Sequence, residues 1–440
     1  MASAVNPPRG MRDFLPADKA RRERVLGVIR STYTRHGFDE IETPVVEESS
    51  RLHSGLGGDN EKLAFGVLKR GLTTDDLRTA TEVLDLADLG LRFDLTVPLA
   101  RFYASHQSEL PSVFRAIQIA PVWRAERPQK GRYRQFMQCD IDIIGEAGVL
   151  AEMELIAATL DTLGALGISG CSIRINDRRL LASMLEVLGF PVASHSAVLI
   201  TIDKLDKLGI DGVIAELRDR AYPAEPVDAL HVFLTRPQTM EMLPFGEAAI
   251  RTALPEGIGA VAVPGGGTAD DAIADLVALA EALGGSVGSS AASPALVFDP
   301  FLVRGMGYYT GTIFEIAHPD FAYSLGGGGR YDGMIGRFLG TEVPAVGFSI
   351  GFERLVDLVD LGTDSASDGA ALVYDQSVSP ATLAALKSAL VAEGTRVRLE
   401  RRAKNARGQF DALLEAGFSR VATVTESTHS AADLEFRTLG

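Results

Sequence analysis

Between residues 16 and 36, apolar side chains return at helical spacing among arginines and lysines. Leu26, Val28, Ile29 and Tyr33 form the stripe and Gly37 supplies a stop, so the pattern predicts an amphipathic helix. Phe38 to Val46 alternates like a strand, with Pro44 confining it to a sheet edge or a terminus. Leu91 to Phe102 reads as a strand leading through Pro98 into a helix. Ala120–Arg124 and Met137–Ile144 read as two strands around a basic segment, and the second alternates isoleucine with Asp140 and Asp142. Residues 146–164 and 178–189 read as helices flanking a strand at Cys171–Ile175. Residues 60–90, rich in Leu and Asp, carry no period that assigns an element.

The pattern changes at residue 193. Through residue 285 it is dominated by helix-like stretches, Ile202–Asp219 and Asp270–Leu283, with a V-A-V-P-G-G-G turn between them. This predicts an insertion, followed by a flexible linker that starts at Gly284. Short apolar strands resume at Ala295, with a glycine-rich turn at Gly326–Gly329 and a strand-to-helix passage over Ala345–Val359. A second linker begins at Gly362. Beyond it come strand Ala371–Tyr374, helix Ala381–Glu393, strand Arg396–Leu399, helix Gly408–Glu415 and strand Val421–Thr425. That alternation predicts a small α/β domain with at least partly parallel pairing.

Length and composition add limits. A chain of 440 residues should hold more than one domain, since domains run to roughly 100–200 residues. No apolar run approaches the roughly 18–20 residues that span a bilayer, and the N-terminus lacks an apolar signal core. Cys139 and Cys171 cannot make a disulfide framework in so long a chain, so a reducing cytoplasm is the expected location. The seven histidines show no H-x-x-x-H pairing and there is no C-x-x-C, so no protein-bound metal is expected. A net charge of −15 counts against a generic nucleic-acid binder, although binding depends on local basic surface.

The basic segment is one such surface. Arg127, Lys130, Arg132 and Arg134 surround Pro128 and Gly131. Two readings stand at this level: a loop that holds phosphate, of a nucleotide or a nucleic-acid backbone, or a solvated charged hairpin. Arg124 and Glu126 on the way in, and Gln138 and Asp142 on the way out, are polar residues in apolar strands, where spacings of two or four share a face. V-P-G-G-G-T-A-D-D at 263–271 lacks both G-x-G-x-x-G and the Gly-Lys-Ser/Thr of a P-loop, which counts against those nucleotide sites.

The segment R-A-E-R-P-Q-K-G-R-Y-R-Q-F, starting at Arg124, resembles motif 2 of the class II aminoacyl-tRNA synthetases in the form found in histidyl-tRNA synthetases. Other segments resemble that family in its own order. They are R-G-M-R-D-F-L-P at 9–16, L-R-F-D-L-T at 91–96, L-V-R-G-M-G-Y-Y-T-G-T-I-F-E at 302–315, G-G-G-R-Y-D at 327–332 and A-V-G-F-S-I-G-F-E-R-L at 345–355. N-D-R-R-L-L at 176–181 and D-K-L-D-K-L at 203–208 resemble the branch shared with eukaryotic enzymes, and the long helix, strand and proline at the start resemble motif 1, which usually makes a dimer interface. The resemblance implies an α+β fold: a class II core on an antiparallel sheet flanked by helices, with a helical insertion and a C-terminal α/β anticodon-binding domain. The expected divisions are 1–192 and 286–361 for the two parts of the core, 193–285 for the insertion and 369–440 for the last domain.

It also implies a reaction, the ATP-dependent activation of L-histidine and its transfer to tRNA(His). A carboxylate must meet the α-phosphorus of ATP, and guanidinium groups stabilise the charge that develops. The resemblance gives that work to Arg124 and Arg304, the far end of ATP to Arg354 and the adenine edge to Glu126. Asp94, Thr96 and Gln138 are expected to bind the ammonium of histidine, and Asp142 and Tyr309 its ring, with Tyr308 in the same wall. ATP would come as its Mg2+ complex, with no prosthetic group. Arg127, Lys130 and Arg132 are expected to touch the acceptor stem of tRNA, and Arg401 and Arg402 its anticodon stem; a solvated basic face is the plain alternative for the latter pair. Two departures stand out: Asp142 where many bacterial members carry Glu, and Gly307 where R-G-x-D-Y-Y has aspartate. A homodimer is expected. The rival is a non-catalytic, synthetase-like regulatory subunit of ATP phosphoribosyltransferase, whose kind usually lacks the last domain and phosphate-binding arginines.

Overall fold

A computed structural model of the chain describes residues 5–53, 62–129, 131–236, 246–259, 267–284, 295–304, 309–359 and 369–439. The predicted first helix is α1 (Pro16–Arg35), on which Val25, Leu26, Ile29 and Tyr33 are buried. The strand expected over Phe38–Val46 is instead two short strands, β1 (Asp39–Glu40) and β2 (Val46–Glu48), which join different sheets. Pro44 lies between them, where a missing N–H interrupts no ladder. Then come α2 (Ser49–Leu52), β3 (Phe65–Leu68), α3 (Thr74–Thr79), α4 (Val83–Leu86) and β4 (Ala87–Leu91). The strand expected from Leu91 therefore ends there. Arg92–Leu95 is a connecting loop, and Pro98 sits in the first turn of α5 (Thr96–His106), which tolerates proline.

β5 (Phe114–Trp123) and β6 (Gln135–Ile144) form the hairpin around the basic segment. They are followed by α6 (Leu150–Ala165), β7 (Ser172–Asp177) and α7 (Arg178–Val187). The described residues between 193 and 285 form the helices α8 (His195–Ile202), α9 (Leu205–Asp219), α10 (Ala224–Leu234), α11 (Glu247–Thr252) and α12 (Ala269–Gly284). α12 packs on α6, α7 and β7. β8 (Ala295–Phe298), β9 (Thr312–His318), β10 (Phe321–Arg330), α13 (Asp332–Leu339), β11 (Ala345–Ile350) and α14 (Phe352–Leu355) complete this part.

The main sheet has the order β1-β5-β6-β11-β10-β9-β7-β8. It is antiparallel from β5 to β7 and parallel only at its edges, where β1 meets β5 and β8 meets β7. β2, β4 and β3 form a small second sheet. The glycine-rich stretch Gly326–Gly329, read from the sequence as a turn, lies inside β10. Its physical reason is close approach: a Cβ on Gly328 would lie 1.9 Å from the carbonyl oxygen of Gly347, and one on Gly326 would lie 2.6 Å from that of Ser349.

The chain divides into two compact units, Met1–Arg12 with Val25–Val359 and Asp13–Arg24 with Asp360–Gly440. In the second, β12 (Ala370–Tyr374), α15 (Pro380–Ala392), β13 (Val397–Arg401), α16 (Ala406–Glu415), β14 (Arg420–Val424) and β15 (Arg437–Thr438) follow the predicted alternation. β12 is parallel to β13 and β14, and β15 closes the edge antiparallel. No helix among the described residues is long and apolar enough to cross a membrane.

Candidate active site

β6 is buried on both faces. Cys139, Ile141 and Ile143 enter the apolar core on one, while Gln138, Asp140 and Asp142 occupy the other. Burying three polar side chains in a row is costly unless neighbours satisfy them or a ligand does. The neighbours are in register: on β11, Ser349 lies opposite Asp140 and Gly347 opposite Asp142. Gly347 is there for room, since a Cβ would lie 2.0 Å from Asp142 Oδ1. The hydroxyl of Tyr331, just past β10, donates to the same oxygen at 2.6 Å.

A second wall comes from the loop before α5. Arg92, 2% exposed, ties it down by donating to the carbonyls of Thr43 at 2.7 Å and Pro121 at 3.0 Å. Gln118 Nε2 on β5 donates to Leu95 O at 3.0 Å, and Arg124 Nε to Phe93 O at 2.9 Å. Thus held, Asp94 faces inward at the start of α5, where its Oδ1 accepts from Val97 N at 3.1 Å. Asp94, Thr96, Arg124, Gln138, Asp140, Asp142, Tyr309, Gly327, Gly328, Tyr331, Gly347, Phe348 and Ser349 line one pocket.

The electrostatics of this pocket favour a cation. Asp94, Asp140 and Asp142 are each almost fully buried, with Arg124 as the basic side chain of the lining. Burial pushes the carboxyl of Asp142 up to about 7 despite the Tyr331 hydrogen bond, with Asp94 adding to the rise. Burial likewise raises the Asp140 carboxyl well above its ordinary range, and the charge of Asp142 acts in the same direction. A ligand bringing an ammonium and ring N–H donors relieves these carboxylates; an apolar or anionic one does not.

Arg304 meets the edge of the pocket at Gly327. A Cβ on that glycine would fall 2.7 Å from Arg304 Nη1, so the bare backbone makes space for the guanidinium. Nη1 donates to Glu315 Oε2 at 2.5 Å, Ser324 Oγ at 3.0 Å and Gly326 O at 3.3 Å. Glu315 also faces Arg174 at 3.5 Å, which in turn pairs with Asp299. Arg354 reaches the same Ser324 through its carbonyl, donates from Nε to Gly131 O at 3.2 Å and lies 4.6 Å from the centre of the Tyr323 ring. Arg304 and Arg354 thus approach one point, Ser324, from two elements.

The basic hairpin is less free than its composition implied. Arg132 pairs with Glu126 at 3.2 Å, and Arg134 Nε donates to Glu126 O at 3.0 Å. Arg134 N donates to Gly10 O at 2.8 Å, and Arg12 lies 3.5 Å from the centre of the Tyr133 ring while pairing with Glu353. Glu353 Oε1 also accepts from Met137 N at 3.1 Å. The N-terminal signature and the last strand-to-helix passage therefore brace the hairpin from two directions. Arg127 is exposed.

The N-D-R-R segment has a structural task. Asn176 Nδ2 donates to Leu302 O at 3.2 Å, and Arg178 N donates to Gly311 O at 2.9 Å. The two bonds hold both ends of the stretch that carries Arg304 and Tyr309. In the second unit, Arg401 donates to Gln376 and Arg402 pairs with Asp375 at 3.1 Å, leaving both guanidinium groups largely exposed.

Of the residues expected to bind substrate, the structure brings Asp94, Thr96, Arg124, Gln138, Asp142 and Tyr309 to one pocket. Arg304 borders it, whereas Glu126 and Arg354 stand by the hairpin. Tyr308, Gly307 and Lys130 lie outside the described residues. Asp140, Ser349, Tyr331 and Gly347 were missed as pocket residues; for Asp140 the signal was present, two places from Asp142 on one strand face. Gly347→Ala should displace the Asp142 carboxylate and raise KM for the ligand by about tenfold or more, with a smaller effect on melting, as ligand titration and calorimetry would read.

A family model described as histidyl-tRNA synthetase matches residues 10–355. A histidine–tRNA ligase of Leifsonia xyli is 58% identical over 438 residues, covering 98% of both chains. A probable histidine–tRNA ligase of Tropheryma whipplei is 43% identical over 422 residues, covering 94% of both. The crystal structure of histidyl-tRNA synthetase from a Nostoc species aligns with a TM-score of 0.73 at 25% identity, over 99% of this chain and 95% of that one. An ATP phosphoribosyltransferase regulatory subunit/histidyl-tRNA synthetase from Bacillus halodurans, 22% identical with a TM-score of 0.72 over 96% of this chain and 99% of that one, shares the fold. With its match over residues 10–355 and its close, full-length relatives, this chain belongs to the histidyl-tRNA synthetase family.

Proposed function

We propose that this chain is a catalytic histidine–tRNA ligase, which activates L-histidine with ATP and passes the histidyl group to the 3′-terminal ribose of tRNA(His). The observation that carries the reading is one pocket lined by the buried carboxylates of Asp94, Asp140 and Asp142 together with Arg124, with Arg304 at its edge. Asp94, Thr96 and Gln138 take the α-ammonium. Asp142, steadied by Tyr331, accepts from one ring N–H, and Tyr309 partners the other nitrogen. Arg124 and Arg304 face the histidine carboxylate and the α-phosphate from two sides, where negative charge builds in the transition state. Arg354 holds the far phosphates and Glu126 reads the adenine edge. ATP would be used as its Mg2+ complex, in which the metal would offset the phosphate charge. Arg127, Lys130 and Arg132 on the hairpin, and Tyr308 beside Tyr309, complete the assignment.

Retention of Arg124, Arg304 and Arg354, and of the C-terminal α/β unit, favours the enzyme over the regulatory-subunit reading. A homodimer is part of the proposal. On the small sheet Val46, Val67, Leu68 and Leu89 are exposed, and Leu77 and Val83 on the adjoining helices are more than half exposed, an apolar surface suited to a second copy. Cys139 and Cys171 are buried and not joined in a disulfide, which fits a cytoplasmic setting. The test is charging of tRNA(His) with labelled histidine by the purified protein. Replacing Arg401 and Arg402 with alanine should lower kcat/KM for charging on the order of tenfold and spare pyrophosphate exchange. Equal loss of both activities would refute the anticodon-side role.

A further inference from the structure

We infer that Asp140 is a positioning residue for substrate recognition, fixing the Gln138 side-chain amide with its oxygen turned to the pocket. This rests on the reading of the pocket as the histidine site. Gln138 Nε2 donates to Asp140 Oδ2 at 3.1 Å and Oδ1 at 3.4 Å, and lies 3.4 Å from Ser349 Oγ. Both amide protons are thereby engaged with acceptors on the strand face. Gln138 Oε1 is buried and has no hydrogen-bond partner among the described residues.

A glutamine amide is ambidextrous: one end donates and the other accepts. In a pocket that receives an ammonium, only the accepting end is useful. Turning the amide over would bring its oxygen against the Asp140 carboxylate and point two N–H donors at the incoming cation, and both contacts are repulsive. Asp140 therefore removes a degeneracy that Gln138 alone would have. Gln138 Oε1, so oriented, is the acceptor offered to the ammonium, together with Asp94. Burial and the charge of Asp142 push the Asp140 carboxyl up, while its hydrogen bonds with Ser349 and Gln138 act in the opposite direction. Ser349 is opposite Asp140 on β11 and adds the second acceptor at the same amide.

The experiment is a double-mutant cycle on the full-length protein, read as KM for histidine and for ATP in pyrophosphate exchange. Asp140→Asn, which can present an amide donor to Gln138, should raise KM for histidine about tenfold with KM for ATP changed less than about twofold. In a Gln138→Ala background the same substitution should change KM for histidine by less than about twofold, because the group it orients is gone. Should Asp140→Asn fail to fold, Ser349→Ala provides the second cycle, with a smaller rise expected beside Gln138 and none beside Gln138→Ala. Equal rises in both backgrounds, or a parallel rise in KM for ATP, would overturn the role of Asp140 while leaving the pocket assignment intact. No histidine-dependent exchange in the unaltered protein would instead overturn the pocket assignment and this role with it.

Discussion

Arg304→Ala should lower the rate of histidine-dependent pyrophosphate exchange by about 10²–10³-fold, with the melting temperature nearly unchanged. The guanidinium is held through Nη1, which meets Glu315 at 2.5 Å, Ser324 Oγ at 3.0 Å and Gly326 O at 3.3 Å. A cation fixed in advance costs no reorganisation when the carboxylate oxygen and the α-phosphorus approach each other, so its effect belongs to kcat more than to KM. Removing it does not strand Glu315, which keeps Arg174 at 3.5 Å. That is the structural ground for expecting an inactive but folded variant. Arg304→Lys should recover little of the loss, because a point charge cannot reproduce the planar fork that meets two oxygens at once. A rate within about threefold of the unaltered protein would remove Arg304 from the chemistry.

Asp142→Asn carries the second large effect, and its sign differs between activity and stability. The carboxyl rises from 3.8 to about 7 on folding because burial disfavours its charge. Between those pH values the folded chain holds a proton that the unfolded chain has lost. The contribution of this group to stability is therefore complete below pH 3.8 and lost as pH rises through about 7. At pH 8 the buried charge costs on the order of 4 kcal/mol relative to a neutral group. Asp142→Asn should accordingly melt higher than the unaltered protein at pH 8, with the difference shrinking towards pH 5. The Tyr331 hydroxyl can still donate to the amide oxygen, so packing survives. Yet kcat/KM for histidine should fall on the order of 10²-fold, because the ring N–H loses a charged acceptor. A melting difference independent of pH would show that Asp142 is not the buried, destabilising charge described above.

Much of this site could be read from the order of residues along one strand. Gln138, Asp140 and Asp142 interrupt an apolar run at a spacing of two, which puts them on one face without any tertiary information. What they meet could not be read. Tyr331 and Gly347 come to Asp142 from β10 and β11, far along the chain, and no local pattern announces such a partner. The run Gly326–Gly329 was read as a turn because turns and close strand packing call for the same residue; only the neighbours at 1.9 and 2.6 Å distinguish them. Phe38–Val46 alternates well enough for one strand, but pairing sends its two ends to different sheets. Loop charges gave the weakest guide. Arg132 is expected from the sequence at the acceptor stem of tRNA, and in the fold Glu126 meets it at 3.2 Å.

The central claim is that this pocket selects histidine and presents it to ATP. The most direct measurement is amino-acid-dependent exchange of labelled pyrophosphate into ATP by the purified protein, run with histidine and with each other amino acid in turn. Saturable exchange is expected with histidine alone, lowered about 10²–10³-fold by Arg304→Ala. Exchange no greater than a heat-inactivated control, or exchange driven equally by another amino acid, would contradict it.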